Sequence, residues 1–530
     1  MENYMGKSKK SNRTEEDNIM QIDKKKCIGC TACAFTCARE TKISILKKID
    51  IGRRTVEPKQ GTFEDTGCIY CGQCATACPT EAMKVRSDVE LVKEALNSGK
   101  YLVLISSPIV KATLGEEFKL PAGSYVEGKI VPSARKLGFQ NAFNTEFGTD
   151  MTVVEEATEL IKRIAGKEKL PMFTSFCPSW IRYAELFHPE VLEHISTAKS
   201  PQQMMGASVK TYFADNYNIL PTNIFIVSVN SCAAKKYEAE KAEMGRDNYK
   251  DIDAVLTTRE YSELLKDNGI DITAIADEAG APFMNEYTGA GTSFAISGGA
   301  MRSVIRTVAS YLNSDVFEID NVAFENVFGY EYIKEANINL GSQRYKVAVI
   351  NGLKEVDKFL KSEKWKEYLF IEVMTCKDGC MNGGGAVRVE KRAKTDGDLC
   401  ISCGTCIDSC PVSAREFNER GEAFSDIRKC TGCKLCANIC RAKAISVQDF
   451  DKATNNFLDT DYMKIRINSL RNIDRTCDKR VSDKNYSLQE MYKNYMGEPG
   501  GVKSINLLHT DYTDRSNNIK NKDTKKRKKH

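Results

Sequence analysis

One cysteine pattern occurs four times in the 530-residue chain and restricts its fold more than any other feature. Each copy reads C-x2-C-x2-C-x3-C, so three cysteines fall within one short loop and a fourth follows it. The copies are CIGCTACAFTC from residue 27, CIYCGQCATAC from residue 68, CISCGTCIDSC from residue 400 and CTGCKLCANIC from residue 430. Two copies lie near each end of the chain, which predicts two small modules with two copies each.

The spacing within each copy matches the bacterial ferredoxin pattern, in which three thiolates bind one [4Fe–4S] cluster and the fourth binds its neighbour. Three cysteines in one short loop reach three corners of the cube, and a glycine such as Gly29 or Gly432 lets the loop turn closely around it. The alternative is four zinc sites, but zinc usually combines two separated C-x2-C pairs. We therefore predict four [4Fe–4S] clusters.

The pattern also predicts which cysteines share a cluster, because the fourth cysteine of each copy binds the sister cluster. We number the four resulting sites. Site 1 is Cys27, Cys30, Cys33 and Cys78; site 2 is Cys37, Cys68, Cys71 and Cys74; site 3 is Cys410, Cys430, Cys433 and Cys436; site 4 is Cys400, Cys403, Cys406 and Cys440. Sites 1 and 2 form the N-terminal module, and sites 3 and 4 form the C-terminal module.

The composition excludes several classes of protein. A length of 530 residues predicts roughly three or four domains. The net charge of +5 is too balanced to indicate a nucleic-acid partner, and no stretch approaches the ~18–20 apolar residues that a membrane span needs. The polar N-terminus lacks the features of a signal peptide, so we expect a cytoplasmic protein, in a reducing compartment where disulfides are rare.

The long central region alternates β-rich runs with amphipathic helical patterns. The runs are YLVLISSPIV, NIFIVSV, DAVLTT and YKVAVING, and TVVEEATELIKRIAG has apolar residues at helical spacing. This alternation favours an α/β fold with mainly parallel sheets, in which ligands bind where loops leave the strand ends.

Five cysteines remain outside the four copies, and four of them follow β-rich runs. Cys177, Cys232, Cys376 and Cys380 are delivered by three loops, and four thiolates can hold one further cubane. The alternative is a set of reduced core thiols, because free cysteine is often buried. Cys477 has no partner left and is expected to be an ordinary free thiol.

The loops that carry these four cysteines resemble the signature loops of the [FeFe]-hydrogenases. TSFCPSW, NSCAAKKYEAE and IEVMTCKDGCMNGGG resemble T-S-C-C-P-x-W, M-P-C-x-x-K-x-x-E and E-x-M-A-C-x-x-G-C-x-x-G-G-G. SPQQMMGASVK, DIDAVLTTRE, EYTGAGTSF and the late segment RINSLRNIDRTCDKRVSDKNYSLQEMYKNYMGEPGG also look like that family. The resemblance covers roughly residues 24–390 and 464–513.

The resemblance implies an α/β catalytic domain of two lobes with mainly parallel sheets, plus two α+β ferredoxin-like modules. The expected ranges are a disordered 1–19, a two-cluster module at 20–90, an H-cluster domain at 95–390, an inserted two-cluster module at 395–450, a small-subunit-like closing segment at 460–513 and a disordered basic tail at 514–530. The commonest family members lack a module between the third loop and the closing segment.

By the same resemblance, the four loop cysteines would bind the cubane of an H-cluster. Cys380 would also bridge to a two-iron subsite with CO, cyanide and a dithiolate. Lys235 matches the lysine that hydrogen-bonds a cyanide, as suits a cation beside an anionic ligand. The positions that match pocket-lining residues of the family are Gln202, Phe294 and Met374, while Asn230 and Ser231 stand where the second loop usually has Met-Pro, and Ser107 and Ile109 flank Pro108 where the pattern usually reads Ala-Pro-Ser.

The resemblance also implies a proton route that this chain interrupts. Residues matching the route are Glu156, Ser196, Glu159 and Arg163. Phe176, however, occupies the place of the family's proton-donating cysteine, and a phenyl ring neither donates nor accepts a proton. The relay is therefore expected to be intact up to its last position and blocked there.

Three functions remain open at this stage. The first is a divergent hydrogenase that interconverts protons and H₂ and exchanges electrons with ferredoxin through the modules at either end or both, after insertion of its cluster by maturation proteins. The second is a hydrogen or redox sensor of low turnover, which Phe176 favours. The third is a non-catalytic iron–sulfur protein like the hydrogenase-related assembly factors, against which Lys235 and the Glu156–Glu159 pair argue.

Overall fold

The computed structural model describes residues 18–50, 54–166, 169–246, 248–451, 455–458 and 461–518. The expectations for the N-terminal segment and the basic tail fall mainly on residues 1–17 and 519–530, which lie outside the described residues.

The described residues form twenty strands. They are β1 Met20–Ile22, β2 Leu46–Ile49, β3 Thr55–Pro58, β4 Met83–Val85, β5 Tyr101–Ser106, β6 Asn141–Asn144, β7 Met172–Phe173, β8 Ile224–Asn230, β9 Gly245–Arg246, β10 Tyr249–Lys250, β11 Ala254–Thr257, β12 Glu325–Asn326, β13 Ile333–Leu340, β14 Gln343–Asn351, β15 Phe370–Met374, β16 Lys391–Thr395, β17 Arg415–Phe417, β18 Ala423–Ser425, β19 Ile445–Asp451 and β20 Asn456–Phe457.

Twenty α-helices accompany these strands in the described residues. They are α1 Ala32–Thr41, α2 Gln73–Thr76, α3 Val89–Leu96, α4 Pro108–Thr113, α5 Glu127–Leu137, α6 Thr145–Ile164, α7 Pro178–Phe187, α8 Pro201–Ser208, α9 Ala214–Asn216, α10 Ala234–Glu240, α11 Thr258–Asp267, α12 Gly289–Ser293, α13 Gly299–Tyr311, α14 Val316–Asp320, α15 Val356–Lys361, α16 Thr405–Asp408, α17 Leu435–Ile439, α18 Tyr462–Thr476, α19 Tyr486–Met491 and α20 Val502–Leu508.

The central region contains two sheets, one in each lobe. The first has the order β11-β8-β5-β6 and is parallel throughout, because helices connect its strands. The second has the order β12-β13-β14-β15-β7; it is parallel between β14, β15 and β7 and antiparallel on its other side. A tight turn through Gly341, whose φ is +60°, joins β13 to β14 and makes that pair a hairpin.

Each of the two sheets is covered by buried apolar side chains on both faces, as parallel strands require. The long helix α6 lies between the lobes. Its residues Met151 and Val154 pack into the core of the first sheet, while Val153 and Leu160 pack into the core of the second. The lobes therefore meet along α6, and the strand-end loops of both open toward the same region.

The closing segment holds the two lobes together from outside. Asp150 in α6 accepts hydrogen bonds from Ser482 Oγ at 2.7 Å and Asn485 Nδ2 at 3.0 Å. Buried Arg466 of α18 forms an ion pair with Glu116. No helix in the described part of the chain has the length and apolar character needed to cross a membrane.

Candidate iron–sulfur sites and catalytic cavity

Four thiols from three loops meet at one cavity between the lobes. Cys177 precedes α7 after β7, Cys232 follows β8, and Cys376 and Cys380 follow β15. All four line a cavity with about 770 Å³ of empty space between protein atoms. The gathering that the three loops predicted is therefore present in the structure, at the carboxyl ends of parallel strands.

The loops approach one another so closely that glycine is required at their contacts. A Cβ on Gly383 would lie 2.2 Å from the carbonyl oxygen of Ser231. Gly379 has a φ of +78°, and a Cβ there would lie 2.8 Å from the carbonyl oxygen of Ala295. These contacts fix the second loop against the third around the thiols.

The five polar and apolar residues predicted for the pocket also line this cavity: Lys235, Gln202, Asn230, Phe294 and Met374. The Asn230 amide donates to Gln202 Oε1 at 2.9 Å, which orients both side chains at the cavity wall. Ile109 and Pro108 line the opposite wall.

Lys235 is buried, and its ammonium is held by protein groups. Its Nζ donates to Ser200 Oγ at 2.6 Å, Glu238 Oε2 at 2.8 Å and the carbonyl oxygen of Phe176 at 3.2 Å. Burial raises the pKa of Cys232 to about 11, and the nearby Lys235 charge opposes that rise. The sequence analysis did not single out Glu238, although it belongs to the second loop motif.

Two hydroxyls at the cavity lack partners among the described residues. Ser107 Oγ and Thr145 Oγ1 are buried, line the cavity and make no hydrogen bond. A buried hydroxyl without a partner is costly, so these groups favour a polar ligand inside the cavity. Four thiols, a lysine and two unpartnered hydroxyls on mainly apolar walls are a donor set that fits an H-cluster.

Glu156 and Glu159 lie one turn apart on α6 and are both buried. Burial raises the pKa of Glu156 to about 8, so its carboxyl is largely protonated at neutral pH. Its Oε1 accepts from Ser175 Oγ at 3.2 Å, and its Oε2 is buried without a hydrogen-bond partner in the described residues.

The other residues of the predicted relay are joined by hydrogen bonds. Arg163 Nη2 donates to Glu159 Oε1 at 2.6 Å, and Ser196 Oγ donates to Glu159 Oε2 at 2.8 Å. Neither Ser196 nor Glu159 forms a hydrogen bond with Glu156, so the predicted chain has a gap between them. Tyr512, which the sequence analysis did not single out, donates to the Ser196 carbonyl at 2.9 Å and lies within reach of Ser175.

Phe176 is 4% exposed and lines the cavity beside Cys177. Its ring meets the ring of Phe294 at an angle of 63°, with centroids 4.7 Å apart. The position next to the thiol site thus holds an apolar ring that is fixed by a second ring.

The repeated cysteines gather as the ferredoxin pattern predicts. Site 1, site 2 and site 3 each surround a separate cavity with about 320 or 330 Å³ of empty space, and each set includes the cysteine from the sister copy. Backbone N–H groups point at the sulfurs, as from Met83 to Cys78 at 3.3 Å and from Ala414 to Cys410 at 3.2 Å. Cysteine-lined cavities with amides aimed at sulfur fit [4Fe–4S] clusters.

Site 4 and the fifth leftover cysteine are less enclosed. Cys406 of site 4 is buried, whereas Cys403 is exposed. Cys477 donates to the Lys479 carbonyl at 3.1 Å and lies apart from the cavity. Within the described ranges, no group of three or more cysteine, histidine, aspartate or glutamate side chains is placed to hold a single metal ion.

Site 2 lies directly against the four-thiol cavity. The Gln73 amide donates to Cys376 Sγ at 3.3 Å and to the Asn382 carbonyl at 2.6 Å. A Cβ on Gly72 would lie 2.9 Å from Gly384 Cα, so the backbones of the two loops are in contact. Site 2 and the four-thiol cavity are therefore direct neighbours in the structure.

This fold and these sites define an iron–sulfur oxidoreductase. Family models match the iron only hydrogenase large subunit, C-terminal domain, at residues 100–384, the iron hydrogenase small subunit at 460–515, and the 4Fe-4S dicluster domain at 26–82 and 399–444. The chain is 35% identical to iron hydrogenase 1 of Clostridium pasteurianum, over 96% of this chain and 78% of that protein. The chain therefore belongs to the iron-only, or [FeFe], hydrogenase family.

Other similar proteins include both hydrogenases and iron–sulfur assembly components. The chain is 38% identical to the periplasmic [Fe] hydrogenase large subunit of Nitratidesulfovibrio vulgaris, over 69% of this chain and 86% of that protein. It is 30% identical to cytosolic iron-sulfur assembly component 3 of Mus musculus, over 63% and 74%. A structure of apo [FeFe]-hydrogenase HydA1 from Chlamydomonas reinhardtii has a TM-score of 0.60 and 25% identity, covering 80% of this chain and 98% of that one.

Proposed function

We propose that this protein is a cytoplasmic [FeFe]-hydrogenase that interconverts protons and H₂ and exchanges electrons with ferredoxin. The observation that carries the proposal is the single cavity lined by four thiols, Lys235 and the two unpartnered hydroxyls. Short cysteine spacings of this kind suit a reducing compartment. Hydrogenase maturation proteins are the partners that would supply the two-iron subsite.

Four thiols would hold the H-cluster in this cavity: Cys177, Cys232, Cys376 and Cys380. When bound, the cluster supplies an iron centre at which two electrons and two protons combine to H₂ or H₂ is split. Lys235 would face its anionic ligands, with Glu238 holding the lysine in place. The close backbone contacts at Gly379 and Gly383 hold the third loop in place at the cavity.

The residues of α6 would bring protons toward the cavity. Glu159 and Ser196 are hydrogen-bonded to each other, and Glu156 keeps a proton near neutral pH because its pKa is raised to about 8. Tyr512 lies at the gap between Ser196 and Ser175, with its hydroxyl on the Ser196 backbone carbonyl. Phe176 then separates this network from the cavity, so proton delivery would be slow compared with a cysteine at that position.

The sensor alternative also rests on Phe176, since slow proton delivery would leave a cluster that binds H₂ but turns over little. The assembly-factor alternative rests on the 30% identity to the assembly components. Against it stand the paired Lys235 and Glu238 and the linked Glu159, Ser196 and Arg163, which a chain without a two-iron subsite would not need.

Infrared spectroscopy on protein produced with the maturation proteins tests the proposal. Bands from CO and cyanide are expected, together with measurable H₂ evolution from reduced ferredoxin. Bands without turnover would support the sensor. Absence of the bands, in a preparation where a known hydrogenase shows them, would overturn both in favour of the assembly-type alternative.

A further inference from the structure

The connection between the two ferredoxin-like modules begins at Arg388, in the segment that leads into the C-terminal module. Its guanidinium donates to the carbonyl oxygen of Ala75 at 2.8 Å and to that of Cys78 at 3.2 Å, and it pairs with Glu81 at 3.1 Å. Cys78 is a site 1 cysteine. The C-terminal module therefore starts at the surface of the N-terminal module, beside site 1.

The strand that follows Arg388 forms one wall of site 3. The backbone N–H of Ala393 donates to Cys430 Sγ at 3.4 Å. A Cβ on Gly432 would lie 2.3 Å from the carbonyl oxygen of Lys391, three residues after Arg388. Three residues span at most about 10 Å of chain, so site 3 lies close to the contacts that Arg388 makes beside site 1.

Charges across the module boundary agree with this arrangement. Cys30 of site 1 and Cys433 of site 3 lie close enough for their charges to interact. Lys434 interacts with Arg39 and Glu40 of α1. Site 1 and site 3 therefore face each other with one cysteine from each in electrostatic contact.

Exposure distinguishes the two ends of this arrangement. In site 1, Cys27, Cys33 and Cys78 are buried and Cys30 is half-buried. At the far end, Cys403 of site 4 is exposed. We define the site 4 patch by the exposed apolar side chains of Leu399, Ile401, Phe417 and Phe424, with Phe417 lying 3.8 Å from the position of a Cβ on Gly404.

We propose that the two modules are connected in series, in the order site 4, site 3, site 1, site 2 and catalytic cavity, and that a small redox protein docks on the site 4 patch. This proposal rests on the proposed function. Each step moves one electron, so two reduced carriers and two protons give two oxidised carriers and H₂. The inserted module is then the outer end of a single path instead of a second branch.

The occupant of the patch is a small redox protein. An exposed cluster ligand beside apolar side chains allows close approach of another redox centre, as in the small interfaces of transient electron-transfer partners. A second copy of this chain, or docking at exposed Phe35 beside site 2, are the outcomes that would contradict this assignment.

Stopped-flow reduction of the four sites by a reduced bacterial [4Fe–4S] ferredoxin tests the docking surface without requiring the H-cluster. Ile401→Glu with Phe417→Glu is expected to slow reduction by ferredoxin about tenfold or more while leaving reduction by dithionite unchanged. Phe328→Glu, at a side chain that is 95% exposed on the catalytic domain, is the matched control and should change neither rate. Slower reduction by ferredoxin in Phe35→Glu, with no change in the Ile401→Glu, Phe417→Glu variant, would overturn the assignment. Dimer formation by the wild type that the Ile401→Glu, Phe417→Glu variant abolishes would overturn it as well.

Electron paramagnetic resonance tests the series order. The reduced protein is expected to show magnetic coupling between site 3 and site 1, and Arg388→Ala should weaken that coupling at equal iron content. Arg428→Ala, which removes an exposed arginine of the same module, should leave it intact. Absence of the coupling in the wild type would overturn the series connection even if hydrogenase activity is present.

We infer a second site from an independent observation, a cavity between α13 and α18 with about 1060 Å³ of empty space. Five arginines and two aspartates line it. Arg306 and Arg480 both pair with Asp320 and Asp474, and Arg302 donates only to backbone carbonyls. The positive charge of the cavity therefore exceeds what its own carboxylates balance.

The excess is greatest on α18. Arg471 and Arg475 lie one turn apart, repel each other and have no carboxylate partner among the described residues. The structure assigns this cavity to a small ligand that carries a phosphate group. Ser293 in its wall donates to Asp474 Oδ2 at 3.0 Å, and Ala295, two residues on, accepts from the Cys380 backbone. A ligand there would act within a few residues of the four-thiol cavity.

Isothermal titration with inorganic phosphate and, separately, with ADP tests this site and separates free phosphate from a nucleotide. Saturable binding of one of them is expected, with loss of about tenfold or more in affinity in Arg471→Ala with Arg475→Ala. The control is Lys493→Ala, which removes an exposed lysine just after α19. This variant should bind as the wild type does. No saturable heat with either titrant, or equal binding in the double variant, would overturn the site.

Discussion

The ring of Phe176 meets the ring of Phe294 edge-on, with 4.7 Å between the centroids, directly beside the cysteine that precedes α7. Both rings line the four-thiol cavity, and neither carries a proton that can be exchanged. The Glu156 carboxylate accepts a hydrogen bond from Ser175, the residue before Phe176. The pair of rings therefore forms an apolar barrier between the buried carboxyl and the cavity.

Replacing Phe176 by cysteine should raise the rate of H₂ evolution, because a thiol would restore a proton donor at the cavity. General acid–base assistance is worth about 10²–10⁴ in rate, which bounds the expected gain. The measurement is the turnover number of matured protein with saturating reduced ferredoxin. Phe176→Ala is the control, since it removes the ring without adding a donor. Equal rates in both variants would mean that space, and not the thiol, limits turnover.

Glu156 should make folding stability depend on pH in a defined window. Its folded pKa of about 8 lies above its ordinary value, so the folded state holds a proton that the unfolded state releases. Stability from this group is complete below the unfolded pKa and is lost as pH rises toward 8, by at most about 1.4 kcal/mol per pH unit.

Anaerobic thermal unfolding between pH 5 and pH 8.5 measures this effect. Glu156→Gln should flatten the fall in melting temperature across that window, because the amide does not titrate. Glu94→Gln, at an exposed position on α3, should follow the wild-type curve. A Glu156→Gln curve parallel to the wild type would show that Glu156 is charged in the folded protein.

The parts of this protein that sequence predicts are those whose signal is local. Three cysteines of one copy and the fourth cysteine of its sister copy surround each cube, so the membership of site 1, site 2 and site 3 follows from the repeated spacing. The strands β5, β8, β11 and β14 likewise follow from short β-rich runs, although the first run ends as a strand at Ser106 and continues as α4.

Other parts depend on contacts between distant segments and have no local signal. Tyr512 lies over three hundred residues from Ser196, and nothing in its neighbours indicates that its hydroxyl meets the relay. Arg388 would pass for a surface arginine until its bonds to Ala75 and Cys78 are seen. The four loop cysteines are intermediate: their loops predict strand ends, but family motifs were needed to group them.

The hydrogen bond from Gln73 to Cys376 should set the reduction potential of the cubane in the four-thiol cavity. A donor to a ligand sulfur stabilises the more negative, reduced cluster and so raises its potential. Gln73→Leu is expected to lower that potential, measured by redox titration with electron paramagnetic resonance. Sites 3 and 4 lie in the other module and serve as the internal reference. A shift of all sites together would indicate a change in the fold instead.

The two modules differ at one position in a way that predicts different cluster potentials. The segments CPTEAM and CPVSAR align Met83 with Arg415, and both side chains are buried. Arg415 Nη2 lies 3.6 Å from Cys406 Sγ of site 4 and also lowers the pKa of Cys436 of site 3, against the burial that raises it. A buried cation between two anionic clusters favours their reduced forms.

Arg415→Met should therefore lower the potentials of sites 3 and 4, and the reciprocal Met83→Arg should raise those of sites 1 and 2. Redox titration of both variants at equal iron content measures the shifts, and each module acts as the control for the other. If Arg415→Met loses iron, Arg415→Lys keeps the charge and should keep the potentials. Unchanged potentials in an iron-replete Arg415→Met protein would show that its charge is screened from both sites. A downward shift in Arg415→Met would show that this arginine makes the outer module easier to reduce in the wild type. That effect favours the arrival of electrons at site 4.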